Sequence, residues 1–225
     1  MQRRQYLKTG SAVTLGATVA GCLGGLFDSG PENVVLSEPE DQGAESSSLA
    51  YPAYGEPLPD FSLPDPFTDE PFRPEEMDEP FLCTSFYAFC PAECVLLLGS
   101  FANVQAALDA EGLRDEIGLV AITFDPERDT PEALSEHAEM IGIDYEHEMW
   151  RYLRPADDAE AKEIVEERLG LGFEKVGGGD AYDFNHLTIT FLVNPDTVVE
   201  RAYRGDRLDV DRVVSDLTTV HESYQ

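Results

Sequence analysis

The chain has 225 residues, of which 45 are acidic and 15 basic, for a net charge of −30. A field of that sign excludes phosphate-driven nucleic-acid binding and adsorption to an anionic membrane surface, since both need a positive face. Hydrophobic residues make up 42% of the chain, enough for one core and too many for full disorder, while no apolar run reaches the roughly 18 residues of a membrane span.

The basic side has its own pattern, because only Lys8, Lys162 and Lys175 are lysine. An acid-rich, lysine-poor surface resembles the proteins of extreme halophiles, where carboxylates are mutually screened as the Debye length falls to about 3 Å at molar salt. Calcium loading is the other reading of so many carboxylates. Asp209-Val210-Asp211-Arg212 lacks the later Gly and Glu of a calcium-binding loop.

In chain order the first element is a leader, residues 1–22. Arg3-Arg4 followed by Tyr6-Leu7-Lys8 resembles a twin-arginine export signal, and the apolar stretch 11–20 is of signal length rather than spanning length. Val19-Ala20-Gly21-Cys22 resembles a lipoprotein box, in which Cys22 carries the lipid. The expectation is an exported protein attached to the outer face of the cell membrane. Residues 23–55 are rich in Gly, Ser, Pro and Glu without periodicity, and read as a disordered linker.

A domain over 56–222 follows. Residues 58–63 alternate like a short strand, and 81–87 read as a buried strand. Apolar residues at 94, 97, 98, 101, 104, 107 and 108 have helical spacing. A second buried strand spans 117–124. Thr130-Pro131 starts a helix, with Thr as N-cap and Pro at the first turn. Another helix over 157–169 stops at Gly170. Then come a strand over 187–193, a turn at Asn194-Pro195-Asp196-Thr197, a returning strand over 198–203 and a closing helix over 210–220. This order predicts an α/β fold, a mixed sheet with helices on both faces.

The chemistry concentrates at Cys90-Pro91-Ala92-Glu93-Cys94, where a buried strand meets a helix. A helix N-terminus lowers a thiol's pKa. Were both cysteines helical, their Cβ atoms would lie about 5–6 Å apart, which suits a shared soft metal ion or, after a small shift, a disulfide. Two cysteines packed in a core helix are the bland alternative. His186, expected to start the strand over 187–193, is the third ligand candidate; two thiolates and one imidazole suit Cu(I). His137, His147 and His221 read as surface residues, and Cys83 as buried and inert. A peroxidase reading meets a mismatch, since Thr84 lies six residues before Cys90 rather than three.

Three segments together resemble the Sco/SenC family of thioredoxin-like copper proteins of cytochrome c oxidase assembly. They are Cys90-Pro91-Ala92-Glu93-Cys94, Asp125-Pro126-Glu127-Arg128-Asp129-Thr130-Pro131, and His186 followed by Phe191-Leu192-Val193-Asn194-Pro195-Asp196. The resemblance implies a thioredoxin-like fold and makes Cys90, Cys94 and His186 ligands of copper, as Cu(I) or Cu(II), with Asp125 and Arg128 near the site. It implies delivery of copper to the copper-containing subunit of a terminal oxidase. The alternative is a thiol–disulfide oxidoreductase in which Cys90 attacks and Cys94 resolves. Three positions depart from the family pattern: Val95 replaces a Pro, Asn185 an Asp before the histidine, and Thr197 the Gly of the turn.

Overall fold

The computed structural model describes residues 31–68, 70–179 and 181–225. Cys22 and the rest of the expected leader lie outside the described residues. In chain order the elements are β1 (Leu63–Pro64), β2 (Pro71–Phe72), β3 (Phe81–Phe86), α1 (Glu93–Glu111), β4 (Gly118–Thr123), α2 (Pro131–Ile141) and β5 (Trp150–Leu153). There follow α3 (Asp158–Ala161), continued by wider π-type turns over Lys162–Arg168, then β6 (Phe173–Gly178), β7 (Ala181–His186), β8 (Ile189–Val193), β9 (Val199–Arg204) and α4 (Val210–Ser223).

Five strands form the central sheet in the order β5-β4-β3-β8-β9. β3 pairs in parallel with β4, and β4 with β5, whereas β8 runs antiparallel to both β3 and β9. Every residue of β3, β4 and β8 is buried. Successive strand residues point to opposite faces, so both faces of the sheet are covered. This is the mixed α/β sheet that the sequence predicts.

Helix boundaries follow local chemistry. The Thr130 side chain accepts from the Ala133 amide at 3.3 Å, with Pro131 in the first turn. Gly112, at φ 74°, closes α1 with the Leu113 amide bonded back to the Leu108 carbonyl at 2.9 Å. The Asp209 side chain caps α4.

Two expectations change. A strand appears at Trp150–Leu153 that apolar periodicity missed, and its Trp-Arg-Tyr-Leu composition is the β-rich signal that marks it. Residues 31–55, expected as part of a disordered linker, instead form a strap packed on the domain. The Glu200 side chain, wholly buried, accepts from the amides of Val35 at 2.8 Å and Leu36 at 2.9 Å. The Tyr54 hydroxyl donates to the Leu36 carbonyl at 2.8 Å, and Asn194 Nδ2 to the Asn33 carbonyl at 2.9 Å. The Ala50 carbonyl passes so close to Gly170 that a Cβ there would meet it at 1.8 Å. The strap carries few apolar anchors (Leu36, Tyr51, Tyr54) and finds its backbone partners in side chains, which composition alone does not reveal.

Among the described residues no helix is long and apolar enough to cross a membrane. β6 and β7 form a separate antiparallel ribbon, with Phe173 opposite His186 at its base and Gly178 opposite Ala181 at its tip.

Candidate metal centre

The site lies where β3 ends and α1 begins. The loop between them is fixed by the core: the Phe124 amide donates to the Phe86 carbonyl at 3.0 Å, and the Ala88 amide to Asp129 Oδ2 at 3.0 Å. The same Asp129 oxygen accepts from the Thr123 hydroxyl. Burial pushes the Asp129 carboxyl up to about 7, against these two hydrogen bonds.

Cys90 sits before the helix, not in it. Its amide bonds back to the Tyr87 carbonyl at 3.3 Å, and α1 starts at Glu93, so Cys94 occupies the first turn. The expected pairing of two helical cysteines therefore becomes a turn cysteine over a helical one. The Cys94 amide donates to Cys90 Sγ at 3.2 Å. Both cysteines are buried and free.

The two sulfurs share a proton unequally. The Cys94 thiol donating to Cys90, aided by His186 and the amides of Cys94 and Ala92, holds the Cys90 thiol down at about 3 despite burial. Cys94, as the donor and deeply buried, is pushed far upward. Cys83, wholly buried within β3, is pushed up to about 12 by desolvation, in line with the inert core thiol expected.

His186 approaches from the other side. It ends β7 rather than opening the strand over 187–193, and the central strand β8 starts only at Ile189. His186 Nε2 lies 3.9 Å from Cys94 Sγ. Its Nδ1 lies 3.3 Å from the Thr188 hydroxyl. Were Nε2 to ligate a metal, Nδ1–H would be free to donate a hydrogen bond to the Thr188 hydroxyl and so orient the ring. The ring also stands over Phe124 at 5.4 Å and edge-on to Tyr87 at 6.0 Å.

Sulfur and nitrogen ligand atoms of Cys90, Cys94 and His186 all lie within 4.8 Å of one another, and no other such cluster occurs among the described residues. Two thiolates and an imidazole around one point suit a soft ion of low coordination number such as Cu(I). Asp125 and Arg128, which the resemblance puts near the site, are ion-paired to each other at 2.5 Å, and the Arg128 guanidinium lies 5.7 Å from the ring of Tyr87, three residues before Cys90. Asn185 is exposed on the opposite face of the ribbon from His186, so the departure there leaves the ligand side unchanged.

The other histidines correct the sequence reading in part. His137 and His221 are buried, at 4% and 8% exposure, while His147 is half-buried and pairs with Asp115 at 3.1 Å. His137 lies on the inward face of α2, against the Phe86 ring at 5.7 Å, and its desolvation lowers its pKa to about 4. Sequence reasoning also missed Tyr87, Tyr182 and Thr188. Only Thr188, two residues past His186 and so on the same side of an extended chain, carried a local signal.

A profile of the SCO1/SenC family matches residues 58–222. Among solved structures, Bradyrhizobium japonicum ScoI with copper bound is 21% identical, covers 72% of this chain and 98% of its own, and superposes with a TM-score of 0.61. A SCO1/SenC family lipoprotein from Bacillus anthracis gives 17%, 73%, 94% and 0.62. BsSco, described as having a disulfide switch and as a member of the Sco family of cytochrome c oxidase assembly proteins, gives 20%, 75%, 94% and 0.60. At these identities the likeness establishes the fold, the thioredoxin-like arrangement of a mixed sheet between helices. No curated protein matches the chain.

Proposed function

The chain belongs to the SCO1/SenC family, and on that premise we propose that it holds one copper ion on Cys90, Cys94 and His186 and delivers it to the dinuclear copper centre of a terminal cytochrome c oxidase. The observation that carries this reading is the convergence of two sulfurs and one imidazole nitrogen within 4.8 Å. The copper-bound ScoI and the assembly role named for the Sco family of BsSco support it.

The residues divide the work by burial. Cys90 and Cys94 are wrapped by the core, whereas His186 is half-exposed on a ribbon. Copper arrives as cargo; binding it displaces the proton held between the two sulfurs, and the Cys94 amide and helix N-terminus stabilise the resulting charge. Release then proceeds by ligand exchange, with an acceptor's thiolate or imidazole taking the place of His186 first. Export and attachment through a lipid on Cys22 complete the proposal and place the site outside the cell membrane. The B. anthracis relative, itself a lipoprotein, supports that part.

The test is copper stoichiometry and affinity on the reduced protein in molar salt, by competition with a chromophoric chelator. About one Cu(I) per chain is expected, with affinity falling at least tenfold in His186→Ala. Absence of competitive binding overturns the copper reading.

One observation favours a second activity. Cys90, just before the helix, takes the Cys94 amide on its sulfur at 3.2 Å, and its thiol is held below the ordinary range by Cys94 beside it, which is the arrangement of an attacking and a resolving thiol. In that reading the free Cys90 and Cys94 thiols reduce a disulfide between the acceptor's copper-site cysteines to two thiols and are themselves oxidised to a Cys90–Cys94 disulfide, which an external thiol reductant must reopen for turnover. Turnover of a disulfide substrate, abolished in Cys90→Ser and retained in His186→Ala, separates it from copper delivery.

A further inference from the structure

The ribbon that carries His186 shares no backbone ladder with the five-stranded sheet. A two-stranded ribbon is marginal by itself, so its placement depends on what fastens it. Part of the fastening is aromatic: Phe124 stacks on Phe173 at 4.8 Å and meets Phe184 edge-on at 5.2 Å.

The polar fastening centres on Tyr182. Its hydroxyl donates to Asp125 Oδ1 at 2.7 Å. Its carbonyl accepts from Arg128 Nη1 at 2.9 Å. The Arg128 guanidinium lies 3.7 Å and the Lys175 ammonium 3.5 Å from the centre of its ring. Arg128 in turn is ion-paired to Asp125, whose side chain is 1% exposed. Arg128, three residues along the same loop, pairs with one oxygen of Asp125 wherever the ribbon lies; docking the ribbon adds the Tyr182 hydroxyl on the other oxygen and the Tyr182 carbonyl on Arg128, so these buried polar groups are fully satisfied only in the docked position. A second tie runs from the Tyr87 hydroxyl to Asp183.

Tyr182 lies four residues before His186 on the same strand and on the same face. It therefore sets the angle at which the ribbon leaves the body, and with it the approach of the imidazole to Cys94.

Resting on the copper-site reading, we propose that Tyr182, clasped by Asp125 and Arg128, is the positioning residue that holds His186 over the two sulfurs and thereby sets how readily the third ligand is exchanged. None of the clasp's contacts is to a sulfur of Cys90 or Cys94 or to the His186 ring. It gives a role to the Asp125–Arg128 pair, which the copper chemistry itself does not use.

The experiment pairs two readouts on the full chain. In Tyr182→Phe the ring and its cation contacts remain, and the hydroxyl's bonds go: the 2.7 Å bond to buried Asp125 and a 3.3 Å bond to exposed Glu127 Oε2. Cu(I) affinity is expected to fall about tenfold, the lower end of what lost support around a ligand costs. Placed in a His186→Ala background the same substitution is expected to change affinity less than about twofold, because the clasp acts through His186. Equal losses in both backgrounds, or no loss in the native background, overturn the proposal. The second readout needs no metal: amide hydrogen exchange of residues 173–186 in the copper-free protein. It is expected to quicken about tenfold in Tyr182→Phe, with β4 unchanged. Unaltered ribbon exchange overturns the proposal whether or not copper binds. Quickened exchange in a protein that binds no copper leaves the clasp standing and removes the copper reading alone.

Discussion

The two halves of the metal centre stand on different ground. Cys90 and Cys94 sit at the junction of α1 and β3, a strand with every residue buried, beside a loop pinned by Asp129 and Phe124. His186 sits on a ribbon joined to the body by rings and side-chain polar ties, its residues half-exposed or exposed. The difference assigns the thermodynamic work to the sulfurs and the exchange work to the imidazole. A ligand anchored in the core costs global stability to move, whereas one on a peripheral ribbon costs only local opening.

The largest effect expected from that contrast is a core truncation under the cysteine half. Phe101 is wholly buried in α1 and meets Trp150 edge-on at 6.1 Å. Phe101→Ala is expected to cost about 3–5 kcal/mol of unfolding free energy, read by urea denaturation. A loss under about 1 kcal/mol, the lower range of ordinary substitutions, would mean that α1 does not fix the cysteines as the packing implies.

The same contrast explains what was legible in the sequence. The cysteine half could be read because its signals are local: apolar spacing from 94 to 108, two continuous buried strands, a Thr-Pro helix start. The ribbon half could not. Phe173–Gly178 and Ala181–His186 mix rings, charges and glycines, so neither alternation nor an apolar run marks them as strands. His186 reads as the third ligand candidate from its place and as a copper ligand by resemblance, but on the strand that follows it rather than at the end of β7. His137 shows the limit in the other direction. Flanking glutamates made it look solvated, but helical geometry turns it inward at the position where Leu134 and Ala138 are also buried.

Buried His137 gives the next effect, and it too belongs to the fixed half. Its pKa is lowered to about 4 by desolvation, against about 6.5 in an unfolded chain. Among the described residues neither ring nitrogen has a hydrogen-bond partner. A depressed histidine pKa means the unfolded chain binds the proton more readily. The stability from keeping the ring neutral is therefore complete above about pH 6.5 and is lost as pH falls towards 4, by roughly 3 kcal/mol. Urea midpoints measured across that range should fall more steeply in the native protein than in His137→Leu, the carboxylates being common to both. Parallel slopes would show that the imidazole is hydrated in the folded state.

The smallest expected effect on stability sharpens the comparison most, because it falls on the other half. Phe184 is half-buried and touches Phe124 edge-on at 5.2 Å and Tyr87 at 5.1 Å. Each such aromatic pair is worth about 0.5–1.5 kcal/mol, but those contacts stabilise the ribbon against local opening rather than the sheet against unfolding. Phe184→Ala should therefore change the global unfolding free energy by about 1 kcal/mol or less while lowering Cu(I) affinity several-fold, since the ribbon then spends more time away from the sulfurs. Phe101→Ala should do the reverse, with a large loss of stability and near-native affinity in the fraction that remains folded. If Phe184→Ala instead costs as much global stability as Phe101→Ala, ribbon and sheet unfold as one cooperative unit, and His186 is held as firmly as the cysteines. The separation of anchoring from exchange would then have to be sought in the chemistry of the ligands rather than in the elements that carry them.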